Sequence, residues 1–270
     1  MSWQDNVEEK YIETNGIKLH TIIIGEGEPL ILLHGFPDFW YGWKDIIPLL
    51  KDKFQLVIPD MRGYNLSEKP EGVENYHITL LIEDIVGLIK ELKFESVYLA
   101  GHDWGGVLSW FIAEKYPNKI RKLGIINGPH LKIIQERLKS DEDQKKSSYY
   151  MFKFQEPNGE NFLIENDFKL LRMGLKEDED KYLEAWSNGT ITCGVNYYRA
   201  NLDYEDWSGI IKVPTLVIHG MKDTAILPGV LEGLEQYVAD LKIIRPEHLG
   251  HSAMKEAPQM VASVFKEFFK

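Results

Sequence analysis

Apolar positions along this chain fall into short bursts with two different periods. Lys18 to Ile24 alternates and then turns wholly apolar, Gly25-Glu26-Gly27-Glu28-Pro29 reads as a turn, and Leu30 to Leu33 as a short buried strand. Leu56-Val57-Ile58 is another buried strand, ending at Pro59-Asp60. Helical spacing follows: Leu80, Leu81, Ile85, Leu88, Ile89 and Leu92 share a face after a potential cap at Thr79, with Glu83 and Asp84 on the first turns. Val97 to Ala100 returns to strand, Val107, Leu108, Phe111 and Ile112 mark a helix, and further strands read at Leu123 to Ile126, Thr215 to His219 and Leu241 to Ile244. This alternation predicts an α/β fold, with a mostly parallel central sheet covered by helices on both faces.

Between Gly128 and about Ile210 the strand patterns vanish. Charged helical stretches, such as Lys132 to Lys146 and Lys176 to Trp186, alternate there with aromatic clusters. The expectation is a core in two parts, 1–128 and 211–270, with a helical cap over 129–210 inserted between the sixth and seventh strands. Such an insertion would sit over the strand ends where open α/β sheets bind ligands. No internal repeat or low-complexity segment is visible.

At 270 residues the chain suits one large domain with an insertion, and 44% hydrophobic against 27% charged residues is an ordinary globular balance. A net charge of −11 argues against nucleic acid or an anionic membrane as partner. Cys193 is the only cysteine, which excludes an intrachain disulfide and reads as a small buried residue. Met1-Ser2-Trp3-Gln4-Asp5 lacks the basic start and apolar run of a signal peptide, and no apolar stretch reaches the length of a membrane span. A soluble, cytoplasmic protein is expected.

The segment Val97-Tyr98-Leu99-Ala100-Gly101-His102-Asp103-Trp104-Gly105-Gly106 reads as strand, sharp turn and helix. Such an elbow lifts its central side chain above the sheet, and here that position holds Asp103 rather than serine. A carboxylate suits attack on a saturated carbon bearing a leaving group, giving an alkyl ester that water must cleave. The plain alternative is an acid that caps the following helix. His34-Gly35-Phe36-Pro37 follows the strand Leu30 to Leu33, and a glycine loop there can aim the Phe36 N–H at the same point as the Trp104 N–H, forming an oxyanion hole. The base is expected after the last strand, where His251 is the candidate and His248 the competitor. Asp223, in the loop after Thr215 to His219, is the expected orienting acid, because the position after the sixth strand reads Ile126-Asn127-Gly128. Glu247, His248 and His251 lack the spacing of a zinc site, so no metal and no organic cofactor is expected.

With these pieces in place the chain resembles the epoxide hydrolase branch of the α/β-hydrolase superfamily over nearly its whole length. The matching residues are His34-Gly35-Phe36-Pro37, Asp60-Met61-Arg62-Gly63-Tyr64, Gly101 to Gly106, His219-Gly220 with Asp223, and Gly250-His251. The resemblance implies an α/β-hydrolase fold and conversion of a small-molecule epoxide and water to a vicinal diol through an ester on Asp103. It also implies that two cap tyrosines protonate the departing oxygen, a role carried onto Tyr150 and Tyr198, with Tyr149 and Tyr197 as the neighbouring registers. A phenol with pKa about 10 stays protonated at neutral pH and suits that task. Asn158 stands before Gly159, where the family often has glycine directly after the proline. His34, Phe36, Trp104 and Phe154 are candidates for contact with an apolar substrate.

Two rival readings remain beside this one. Haloalkane dehalogenases share the aspartate nucleophile and fit Trp104, but usually place asparagine where this chain has Phe36. Haloacid-type relatives put arginine at the Trp104 position. A small-molecule sensor with slow turnover would keep the same pocket. Oligomeric state, monomer or homodimer, is open from sequence.

Overall fold

The computed structural model describes residues 7–175, 177–207 and 209–270, so the N-terminal segment read for a leader and Lys176 lie outside the described residues. Among the described residues, eight strands form one sheet in the order β1-β2-β4-β3-β5-β6-β7-β8. They are β1 (Glu8–Thr14), β2 (Ile17–Ile24), β3 (Glu28–Leu33), β4 (Phe54–Pro59), β5 (Val97–His102), β6 (Ile120–Ile126), β7 (Thr215–Ile218) and β8 (Leu241–Ile244). The β1–β2 and β2–β4 pairs are antiparallel; the others run parallel. The strand at Glu8–Thr14 was not anticipated from the pattern. It is an edge strand exposed along most of its length, so no apolar periodicity marks it, and its charged residues suit an edge that must not pair further.

Two apolar layers flank the sheet, and the pleat sorts residues between them. Leu30 and Leu32 of β3 face one layer while Ile31 and Leu33 face the other. The first layer is completed by α1 (Ile47–Leu50), α10 (Ala253–Glu256) and α11 (Pro258–Phe268). The second is completed by α2 (Ile78–Glu91) and α3 (Trp104–Lys115). Helix α2 starts before the expected cap at Thr79. His77 is at its N-cap, and the Ile78 N–H donates to Asn201 Oδ1 at 2.7 Å, an acceptor supplied from 123 residues away.

Between β6 and β7 the described elements are all helical: α4 (Leu131–Ser140), α5 (Glu142–Ser147), α6 (Tyr149–Lys153), α7 (Asn161–Arg172), α8 (Glu179–Ser187) and α9 (Thr190–Asn201). The stretch Lys132 to Lys146 is two helices, because the Asp141 carboxylate accepts the N–H groups of Asp143 and Gln144 and starts α5 afresh. This helical segment lies on the loops that follow β3 and β4. Trp186 donates to Pro37 O at 2.7 Å, and Tyr197 to Arg62 O at 2.8 Å.

Candidate active site

The turn between β5 and α3 holds Asp103 at φ 51° and ψ −120°, a conformation that costs an L-residue of order 1–3 kcal/mol. Packing imposes it. A Cβ on Gly105 would lie 2.3 Å from Leu33 O, so only glycine lets the helix start this close to β3. Gly35 is under the same constraint, since a Cβ there would sit 2.3 Å from Asp103 Cβ. That proximity lets the Phe36 N–H reach Asp103 Oδ1 at 2.8 Å. The Asp103 side chain makes no capping bond to its own helix. Trp104 is the first helical residue, so its N–H has no acceptor within the helix.

His251 faces the other carboxylate oxygen, with Nε2 3.6 Å from Asp103 Oδ2. Its Nδ1 is 2.7 Å from Asp223 Oδ2. Asp223 is itself fully engaged: Oδ1 accepts the Ala225 and Ile226 N–H groups at 2.9 and 3.0 Å, and Oδ2 accepts Asn127 Nδ2 at 2.8 Å. The competitor His248 is exposed to solvent. Asn127 stands at the position after β6 considered for the acid, and it supports the acid instead of replacing it. His102, given no role from the sequence, lies in contact with His251; its Nε2 is 3.0 Å from the His251 carbonyl.

Burial lowers the His251 imidazole, but its hydrogen bonds and charge contacts with Asp103 and Asp223 more than offset this and lift it to about 10. Burial raises both carboxyls, and His251 outweighs it in each, holding Asp103 below its ordinary range and bringing Asp223 down to about 2. The resting site is therefore an imidazolium between two carboxylates. His102, pushed down to about 4 chiefly by burial, is neutral.

Tyr198 is buried, and its ring stands perpendicular to Trp104 with centroids 5.0 Å apart. Tyr150 meets Tyr198 edge-on at 5.9 Å. Burial, reinforced by the Asp103 charge, raises both hydroxyls above the usual phenol range, so both are protonated at neutral pH. The neighbouring registers are otherwise engaged: Tyr149 is 64% exposed, and Tyr197 donates to Arg62 O. Phe154 is buried against Phe36, Tyr150 and Tyr198. His34 lies beneath the loop, with Nε2 accepting the Met61 N–H at 3.0 Å and Nδ1 at 3.0 Å from Gly35 O. Both its ring nitrogens are engaged by backbone, so it shapes the loop and offers a substrate nothing. Cys193 is half-buried and meets the Tyr76 hydroxyl at 3.0 Å.

Beside Asp103 lies an apolar cavity of about 30 Å³, bounded by Trp104, Leu131, Ile134, Met151, Tyr198 and Leu202, among others. It has room for about one water molecule. Leu202 is its one lining residue that is not buried, and it also borders an outer depression with Leu138 and Phe152. Larger depressions, such as the one of about 550 Å³ between the β1–β2 turn and α2, do not reach the carboxylate. Beyond Asp103, Trp104 and Tyr198, the lining residues Leu131, Ile134, Met151 and Leu202 come from segments distant in sequence, and no local pattern marks them. Among the described residues no cluster of three or more His, Cys, Asp or Glu is placed to hold a metal, and no helix is long and apolar enough to cross a membrane.

A family model described as the alpha/beta hydrolase fold matches residues 28–258. The AB hydrolase superfamily protein YfhM of Bacillus subtilis (strain 168) is 36% identical, the match covering 98% of this chain and 99% of that protein. Epoxide hydrolase 4 of Homo sapiens is 32% identical over 96% of this chain and 78% of its own length. Among solved structures, a mutant epoxide hydrolase from Bacillus megaterium, complexed with its naphthyloxy-propanediol product, superposes with a TM-score of 0.91 at 34% identity, covering 96% of this chain and 99% of that one.

Proposed function

The chain belongs to the epoxide hydrolase branch of the α/β-hydrolase superfamily, and from that membership we propose that it converts epoxides to vicinal diols through an ester on Asp103. Helices α4 to α9 act as the cap, and the core is the remainder. The observation that carries this reading is the division of labour between the two Asp103 oxygens. Oδ1 is held by the Phe36 N–H, whereas Oδ2 faces His251 across 3.6 Å and is the oxygen left to attack.

In the first step Oδ2 bonds to an epoxide carbon, the carbon–oxygen bond of the ring breaks, and the released alkoxide takes a proton from Tyr150 or Tyr198. Their raised pKa keeps that proton available at neutral pH. Forming the ester removes the charge on Asp103, and with it much of what holds His251 protonated. The imidazolium gives up its proton to water, and the tyrosinate left by the first step is reprotonated. The neutral imidazole, kept in one orientation by Asp223, then takes a proton from water. The hydroxide attacks the ester carbonyl, whose developing charge the Phe36 and Trp104 N–H groups receive. As the intermediate collapses the His251 imidazolium protonates the departing alkoxide, the diol leaves, and the restored Asp103 carboxyl passes its proton to the imidazole. This chemistry draws on the side chains named, two backbone N–H groups and water.

Dehalogenation fits less well. Phe36 offers no side-chain donor for a halide, and the Trp104 indole faces the Tyr198 hydroxyl. A sensor would not need a base so closely coupled to an acid. The test is to incubate His251→Gln with a styrene-type epoxide and weigh the peptide carrying Asp103. It gains the mass of the epoxide if the ester forms and cannot hydrolyse. Continued diol production with an unmodified Asp103 peptide rules the mechanism out.

A further inference from the structure

Asp38 takes no part in the chemistry above, yet it is a carboxylate only 6% exposed, two residues past Phe36. A lone buried charge is costly, so its partners matter. Lys255 Nζ lies 2.5 Å from Oδ2, while the Tyr182 hydroxyl and the Phe39 N–H each donate to Oδ1 at 3.0 Å. Lys255 also donates to the Tyr182 hydroxyl at 3.0 Å, closing a three-membered cluster. Burial raises the Asp38 carboxyl, but the Lys255 ammonium holds it below its ordinary range. Room for this carboxylate depends on Gly42, where a Cβ would lie 2.2 Å from Asp38 Oδ2.

The two side-chain partners come from different parts of the molecule. Lys255 lies on α10, four residues past His251. Tyr182 belongs to cap helix α8, and one turn further along the same face Trp186 donates its indole N–H to Pro37 O at 2.7 Å. The turn itself is closed by the Asp38 N–H on Gly35 O at 2.9 Å. Residues 35–38, which aim the Phe36 N–H at Asp103, are thus gripped by the cap on one side and by the helix after His251 on the other. A cavity of about 590 Å³ borders Tyr182 and Lys255, so α8 is not packed solid against the core along that side.

We propose that Asp38, Tyr182, Trp186 and Lys255 are positioning residues that hold the Phe36 N–H on the ester carbonyl only while the cap is seated, making cap closure and assembly of the oxyanion site a single event. The proposal rests on the two-step ester reading. Lifting α8 removes the Tyr182 hydroxyl from Asp38 and the Trp186 N–H from Pro37, and the loop loses two of its restraints. An oxyanion donor works only within about 2.7–3.1 Å of the developing charge. Ester hydrolysis depends on that placement. Ester formation does not, because there the same N–H binds a carboxylate already charged in the ground state.

The test uses the full chain with a styrene-type epoxide under rapid quench, following the Asp103 ester by peptide mass. Tyr182→Phe keeps the ring against Phe39, whose centroid is 5.2 Å away, and deletes only the hydroxyl. Complete loss of an oxyanion donor costs about 10²–10³ in rate, so a displaced one is expected to slow hydrolysis about tenfold. The ester then accumulates, and kcat and KM fall together with kcat/KM unchanged, since that ratio reports only the steps through alkylation. Trp186→Phe and Lys255→Met are expected to do the same, which keeps the question answerable if one variant folds poorly. Parental hydrolysis rates in folded variants overturn the proposal, and so does a raised KM with reduced kcat/KM, the mark of a merely structural role. If the parent and His251→Gln form no ester at all, the two-step reading fails first and this proposal falls with it.

Discussion

Replacing Asp103 by asparagine mimics the charge change of ester formation while nearly preserving shape, and it should move the His251 titration a long way. With 3.6 Å between Nε2 and Oδ2, the attraction lost at an effective dielectric constant of about 20 is about 4–5 kcal/mol. One pH unit corresponds to 1.36 kcal/mol, so His251 should fall from about 10 to roughly 7. The sign follows from the charge. Asp103 stabilises the imidazolium, and its removal makes the proton easier to lose. Asp223, still 2.7 Å from Nδ1, prevents a further drop to the value burial alone would set. The assay is NMR of the ring nitrogens in protein labelled at histidine, with His251 assigned through the His251→Gln variant and the Asp103→Asn mass checked for intact asparagine. A parental His251 that titrates near 6.5, or one whose titration is the same in both proteins, refutes the idea that alkylation releases the base.

Three further outcomes are expected. Tyr150→Phe with Tyr198→Phe should slow ester formation, measured by rapid quench, by about 10²–10⁴, the usual worth of a general acid; an unchanged rate removes both tyrosines from the mechanism. Asp84→Asn should cost about 3–5 kcal/mol in urea unfolding, because it strands the buried Arg62 guanidinium, which holds both Asp84 oxygens at 2.7 Å; a change below about 1 kcal/mol contradicts this. Leu202→Ala should join the 30 Å³ cavity to the outer depression and raise kcat/KM for bulky aryl epoxides relative to small ones, and a uniform change across a substrate panel counts against Leu202 as a gate.

What was legible in the sequence was what neighbouring residues decide among themselves. The elbow at Gly101 to Gly105 is a matter of small residues around one strained position, and Asp103 and Asp223 follow β5 and β7, strands that read clearly because they are buried on both faces. β1 escaped because an exposed edge needs no apolar period. The tertiary structure alone sets His251 beside Asp103 while leaving His248 exposed, and Tyr150 against Tyr198 while leaving Tyr149 exposed. It capped α2 with Asn201, turned Asn127 into the support of Asp223, and drew Asp38, Tyr182 and Lys255 together. Each of these joins segments distant in sequence. Backbone conformation responds to the next few residues, whereas burial, charge pairing and cavity shape depend on which distant surfaces the packed core brings into contact.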